Sequence, residues 1–128
     1  MKKVEDLFKN RQDDKIGLIK ESIEEIQSMI KNREGLHKEM LGNLDKISLF
    51  IDNSMPKPTN ITQDNMAAHH ELIKELLKKK IEVEELRIEE KLNVWRDCAL
   101  LKKELREHMK EFRDIESKTN MLDNLINM

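Results

Sequence analysis

Pro56 and Pro58 stand two apart in Asp52-Asn53-Ser54-Met55-Pro56-Lys57-Pro58-Thr59-Asn60, and this stretch is the one clear break in the chain. Each proline removes a backbone donor and pushes the residue before it out of the α region, so a helix arriving from the N-terminal side must stop near Asp52. On both sides of the break apolar residues recur at three and four positions, the spacing of a single helical face. The chain therefore reads as all-α: two long unequal helices joined by a proline-containing loop, forming a coiled coil or elongated helical bundle. Thr62 or Asp64 offers the side-chain oxygen that would cap the second helix. The expected organisation is a docking segment or short helix over 1–14, a coiled-coil helix over 15–52, a loop over 53–63 and a long coiled-coil helix over 64–128.

Composition removes the competing classes. Three glycines, two prolines and 3% aromatic residues in 128 positions cannot supply the turns and bulk that sheets and barrels need. A single cysteine, Cys98, cannot close an internal disulfide and fits a reducing compartment. Charged residues make up 39% of the chain, against about 25% in an average domain, as long solvated helices require.

Twenty-six acidic and 24 basic residues leave a net charge of −2, finely mixed along the chain. The basic run Lys78-Lys79-Lys80 is followed at once by Glu82, Glu84 and Glu85. No basic stripe survives to neutralise phosphates, so nucleic acid is not expected as a partner. No apolar run approaches the roughly 20 residues a bilayer span needs, and MKKVEDLFKN lacks the apolar core of a secretory signal. The Asn60-Ile61-Thr62 sequon is then expected to stay unmodified. These features describe a soluble intracellular protein, of the cytoplasm and cytoskeleton or of the nucleus, without membrane insertion.

With Ile16 as position a, the a series runs Ile16, Ile23, Ile30, His37, Leu44, Ile51, and the d series Ile19, Ile26, Arg33, Met40, Ile47. A repeat sustained for this long argues for coiled coil. Gly35 and Gly42 fall at f, Gly17 at b, all outward, while Leu7 and Phe8 are out of phase. The second helix carries Ile73, Leu76, Lys80 and Val83 in its proximal seam. Val94, Cys98, Leu101, Leu105, His108, Phe112, Ile115, Thr119, Leu122 and Ile126 make the distal one. Between them Glu90, Val94 and Cys98 step by four and four, a stutter that locally unwinds a supercoil and brings Arg87 and Glu90 into the seam. A second stripe, Leu77, Ile81, Ile88, Leu92, Trp95, Ala99, runs alongside, so the middle of this helix reads as part of a three- or four-helix bundle.

Lengths suggest partners. At 1.5 Å per residue a first helix of ~37 residues spans ~55 Å and a second of ~64 residues ~95 Å, so folding back would leave the seam beyond Ala99 uncovered. Such a stripe marks a partner site. The expected partner interface comprises Ile16, Ile19, Ile23, Ile26, Ile30, Arg33, His37, Leu44, Ile47, Ile51, Ile73, Leu76, Val83 and Ile88, with Trp95 as central anchor. On that reading Leu105→Asp or Phe112→Asp would abolish partner binding. Arg33, His37 and His108 place polar groups in the seams, where such layers specify alignment and partner at a cost in stability.

Nothing in the sequence carries chemistry. His69 and His70 diverge by about 100° on a helix and cannot chelate one ion in the usual way. Metal-ligand spacings, a glycine-rich phosphate loop and a nucleophile elbow are all missing from the sequence. No metal, no cofactor and no catalytic residue is expected, and the chain is not expected to be an enzyme.

Two stretches resemble a known family. Asp6–Lys20, DLFKNRQDDKIGLIK, is similar to the N-terminal helix of the first subunit of the spindle-and-kinetochore-associated complex. Residues from Glu75-Leu76-Leu77 through Arg113-Asp114-Ile115-Glu116 are similar to that subunit's second helix. The resemblance implies a bundle of different coiled-coil subunits at the kinetochore–microtubule interface. The family's microtubule-binding winged-helix domain has no counterpart in these residues. The combined expectation is a non-enzymatic scaffold subunit that co-assembles heteromerically with other helical chains. The alternatives are a self-sufficient homo-oligomeric spacer and a membrane-trafficking tether or adaptor helix.

Overall fold

The computed structural model describes residues 2–57 and 62–127. Pro58, the Asn60 sequon and the side chain of Phe8 lie outside what it describes. All regular structure among the described residues is helical: α1 spans Lys2–Ser54 and α2 spans Met66–Ile126. The two helices pack against each other within each of two compact units, one formed by Glu34–Arg96 and the other by Met1–Arg33 with Asp97–Met128.

The helix boundaries shift from those expected. α1 begins at Lys2 and runs unbroken through the 1–14 segment, giving 53 residues where about 37 were expected. A first dozen residues without glycine or proline have nothing to interrupt the hydrogen-bond ladder, whatever their heptad phase. At its other end Ser54 Oγ donates to the Phe50 carbonyl at 2.7 Å, and Met55 N–H reaches the Asp52 carbonyl at 3.3 Å, closing the last turn ahead of Pro56. α2 starts later than expected because Asn65, not Thr62 or Asp64, takes the capping position. Its carbonyl accepts from His69 N–H at 2.9 Å, and its side-chain oxygen accepts from Thr62 N–H at 2.6 Å, folding the approach into a turn.

In the unit Glu34–Arg96 the helices form an antiparallel hairpin around Leu44, Ile51, Leu76 and Val83, with Leu41 and Met55 packed at the margin. Antiparallel order follows from the cross-pairs Asp45–Arg87 and Asp52–Lys80, in which one number rises as the other falls. In the unit of Met1–Arg33 and Asp97–Met128, Ile19, Ile26 and Cys98 are the buried apolar residues. The order is again antiparallel there, as Gln12 hydrogen-bonds Thr119, Lys20 lies over Phe112 and Arg33 pairs with Asp97. Burial of each Ile or Leu side chain contributes about 1.5–3 kcal/mol, so one seam two residues wide has to supply most of the cohesion.

The glycines are the cheapest place to add stability. A Cβ built on Gly17 or Gly35 meets nothing within 4 Å, and neither glycine has a positive φ. Gly17→Ala and Gly35→Ala each remove unfolded-state freedom and are expected to stabilise the chain by about 0.5–1 kcal/mol. A double variant that melts no higher than the parent in circular dichroism would show that these turns are not helical in solution.

Candidate interaction surface

The seam on α1 departs from a strict heptad at one place. Ile16, Ile19, Ile23, Ile26, Ile30, Arg33 and His37, expected at a partner interface, are all buried or half-buried within this chain, and so are Leu44 and Ile51. Met40 and Ile47 are not: Ile47 is 48% exposed, while Leu41 and Ser48 take the inward positions. The steps Arg33–His37 and His37–Leu41 are four and four, a stutter matching Glu90–Val94–Cys98 on α2. Knobs of one helix must fill holes of the other, so a change of phase on α2 obliges α1 to change phase as well. Hydropathy alone prefers Ile47 to Ser48 and cannot register this.

On α2, Ile73, Leu76, Val83, Val94 and Cys98 lie in the seam, with Arg87 half-buried and Glu90 only 6% exposed. Leu101, Leu105, His108, Phe112, Ile115, Thr119 and Leu122 continue the row and are half-buried, whereas Ile126, in the last turn of α2, is 57% exposed. The seam beyond Ala99, expected to be left for a partner, is occupied by the N-terminal half of α1, which is long enough because it starts at Lys2. Leu105 and Phe112 are therefore stability positions in this chain, and aspartate there would disrupt its own helix pair. Ile88, named with the interface residues, stands outside the α1–α2 seam and is 59% exposed.

Charged residues on the seam are answered across it. Asp45 and Asp52, seven apart on α1, meet Arg87 and Lys80, seven apart on α2, at 2.6 and 2.7 Å. Asp45, hydrogen-bonding the Arg87 guanidinium, holds its pKa above the ordinary arginine value, with burial opposing and Glu84 adding to the rise. Exposed pairs of this kind are screened by water, and their equal spacing makes them register marks more than a source of stability. His37 Nδ1–H donates to Glu90 Oε1 at 3.3 Å, the one polar layer with a buried carboxylate among the described residues. Arg33 Nε donates to Asp97 Oδ2 at 2.9 Å in the other unit.

Outside the seam, the second stripe on α2 is bare. In the Glu34–Arg96 hairpin Leu77, Ile81, Ile88, Leu92 and Trp95 are all exposed, Trp95 to 72%. Ile81, Ile88 and Trp95 are spaced by seven, the repeat of a coiled-coil a position. Each of Leu77, Ile81, Ile88 and Trp95 follows a seam residue by one position, which sets the stripe about 100° around α2 from the seam. Contiguous apolar surface of this kind on a helix is the usual footprint of a protein partner.

Among the described residues no three His, Cys, Asp or Glu side chains converge on a point that could hold a metal ion. His69 is half-buried and His70 exposed, as expected for neighbours on a helix, and Cys98 is a buried free thiol. No described helix is long and apolar enough to cross a membrane. No family model matches the chain, and neither the curated proteins nor the solved structures contain a match to it.

Proposed function

We propose that this chain is a non-enzymatic structural subunit that co-assembles with other helical chains, and that the α2 stripe centred on Trp95 is where a partner helix packs. One observation carries the reading: Ile81, Ile88 and Trp95 repeat every seven residues on a face that the chain's own seam leaves exposed. A soluble two-helix pair gains nothing by displaying a tryptophan and four aliphatic residues in a row, and each forfeits about 1.5–3 kcal/mol while exposed. An interface centred on a buried aromatic recovers that energy. The similarity of Asp6–Lys20 and Glu75–Glu116 to a spindle-and-kinetochore subunit supports kinetochore assemblies as the first place to look for the partners.

The test is affinity purification of the tagged full chain from its own cells, compared with Trp95→Asp. The variant sits at an exposed position and is expected to keep the parent's circular dichroism and stability within about 0.5 kcal/mol. The parent is expected to bring down coiled-coil chains in fixed stoichiometry, and Trp95→Asp to lose them. The same proteins on both baits, or a parent that purifies alone at 15.2 kDa by light scattering, would overturn the reading. A mass at an integer multiple of 15.2 kDa would favour the homo-oligomeric spacer instead. Co-sedimentation with microtubules separates the kinetochore version from either.

A further inference from the structure

The other flank of the Glu34–Arg96 hairpin has a different chemistry. Met40, Ile47 and Phe50 on α1 each precede a seam residue (Leu41, Ser48, Ile51) by one position, and all three are exposed. Glu75, Glu82 and Glu89 on α2 likewise each precede a seam residue (Leu76, Val83, Glu90) by one, and are spaced by seven. In an antiparallel pair, positions that precede the seam on both helices border the same groove. That placement is visible directly where Met40, Leu86 and Glu89 line one groove of about 390 Å³ above Leu44 and Glu90.

The groove is thus two-sided. Its α1 edge, Leu36, Met40, Asn43, Ile47 and Phe50, carries no charge. Its α2 edge is net acidic, with Lys79 the cation in a row that also holds Glu75, Glu82 and Glu89. Among the described residues Glu82 and Glu89 take part in no ion pair, whereas Glu84, on the opposite flank, is 3.4 Å from Arg87. Glu89 lines the groove, and Glu82 stands one heptad before it on the same edge.

We propose that the groove receives a third helix of defined chemistry: an amphipathic helix with an apolar face for Met40, Ile47 and Phe50. One edge of it bears lysine or arginine seven residues apart, meeting Glu82 and Glu89. Opposite charges flanking an apolar seam select partner and orientation, and like charges there are penalised. This rests on the reading that helical chains cover this protein, but it concerns a surface about 200° around α2 from the Trp95 stripe.

The experiment titrates the full chain into two labelled synthetic helices of about three heptads, identical except that one carries Lys and the other Glu along the edge. Fluorescence anisotropy is expected to show the Lys helix binding at least about 10-fold more tightly, with the preference shrinking as salt screens it. Glu82→Lys/Glu89→Lys is expected to reverse the preference, and Ile47→Asp to weaken both helices, while Trp95→Asp changes neither. These positions are exposed, so the variants keep the hairpin; circular dichroism checks that. Equal affinity for the two helices, a preference that survives the charge reversal, or binding lost in Trp95→Asp but kept in Ile47→Asp would overturn the proposal. In that last case the Trp95 stripe would still stand as a docking face.

Discussion

Ile51→Ala is expected to lower stability by about 2–5 kcal/mol, whereas Ile47→Ala, four residues away in the same helix, is expected to change it by less than about 0.5 kcal/mol. Ile51 is 4% exposed and packs with Leu44, Leu76 and Val83, so truncation removes its transfer energy and opens a hole that the hairpin can only partly close. Ile47 is half in water and has little contact to lose. An isoleucine at either position has the same helix propensity, so the difference between the variants isolates packing. The measurement is urea unfolding followed by circular dichroism on parent and both variants. Equal losses would mean that the strict heptad, with Ile47 at d, describes the seam and the shift to Leu41 and Ser48 does not.

The second large effect concerns the polar layer. His37→Leu takes the imidazole away from a carboxylate that is 6% exposed and is expected to cost about 1–3 kcal/mol, because desolvation of Glu90 is then less well offset. The double variant His37→Leu/Glu90→Leu removes that carboxylate too and lets apolar side chains meet in the layer. It is expected to recover the loss and to equal or exceed the parent by about 1–4 kcal/mol. The gain should come with poorer definition of alignment, since a polar layer penalises every register that leaves its members unmatched. Light scattering on the double variant is expected to show added, concentration-dependent oligomers. A double variant less stable than His37→Leu alone would mean that the layer contributes net stability and is not there for alignment.

The proline break and most of the seam follow from local signals. The proline break puts the end of the first helix near Asp52, two residues short of its actual end at Ser54, because proline acts on its own backbone and on its neighbour, without regard to the rest of the chain. The seam from Ile16 to His37, and the stutter at Glu90–Val94–Cys98, were legible because a helix repeats its face every three and four residues wherever it is. Past His37 the strict heptad finds Leu44 and Ile51 but misplaces Met40 and Ile47, because the phase of that stretch is dictated by α2 and hydropathy prefers Ile47 to Ser48. The start of α1 at Lys2 was hidden by the phase of Leu7 and Phe8. A first helix starting at 15 would leave the distal seam uncovered; one starting at Lys2 covers it.

Exposure was the least legible property. Trp95 and Ile88 are as apolar as any core residue, and Glu82 and Glu89 look like any solvated acid in a charge-rich helix. What singles them out is position relative to the seam, one residue after it or one before it. By itself, the sequence determined that this chain forms two helices and where they break, because propensity and proline geometry act locally. Only the tertiary structure decided which residues the two helices use on each other, and therefore which apolar stripe is left exposed and which acidic edge flanks the seam. Packing is a property of the pair, and neither helix alone contains it.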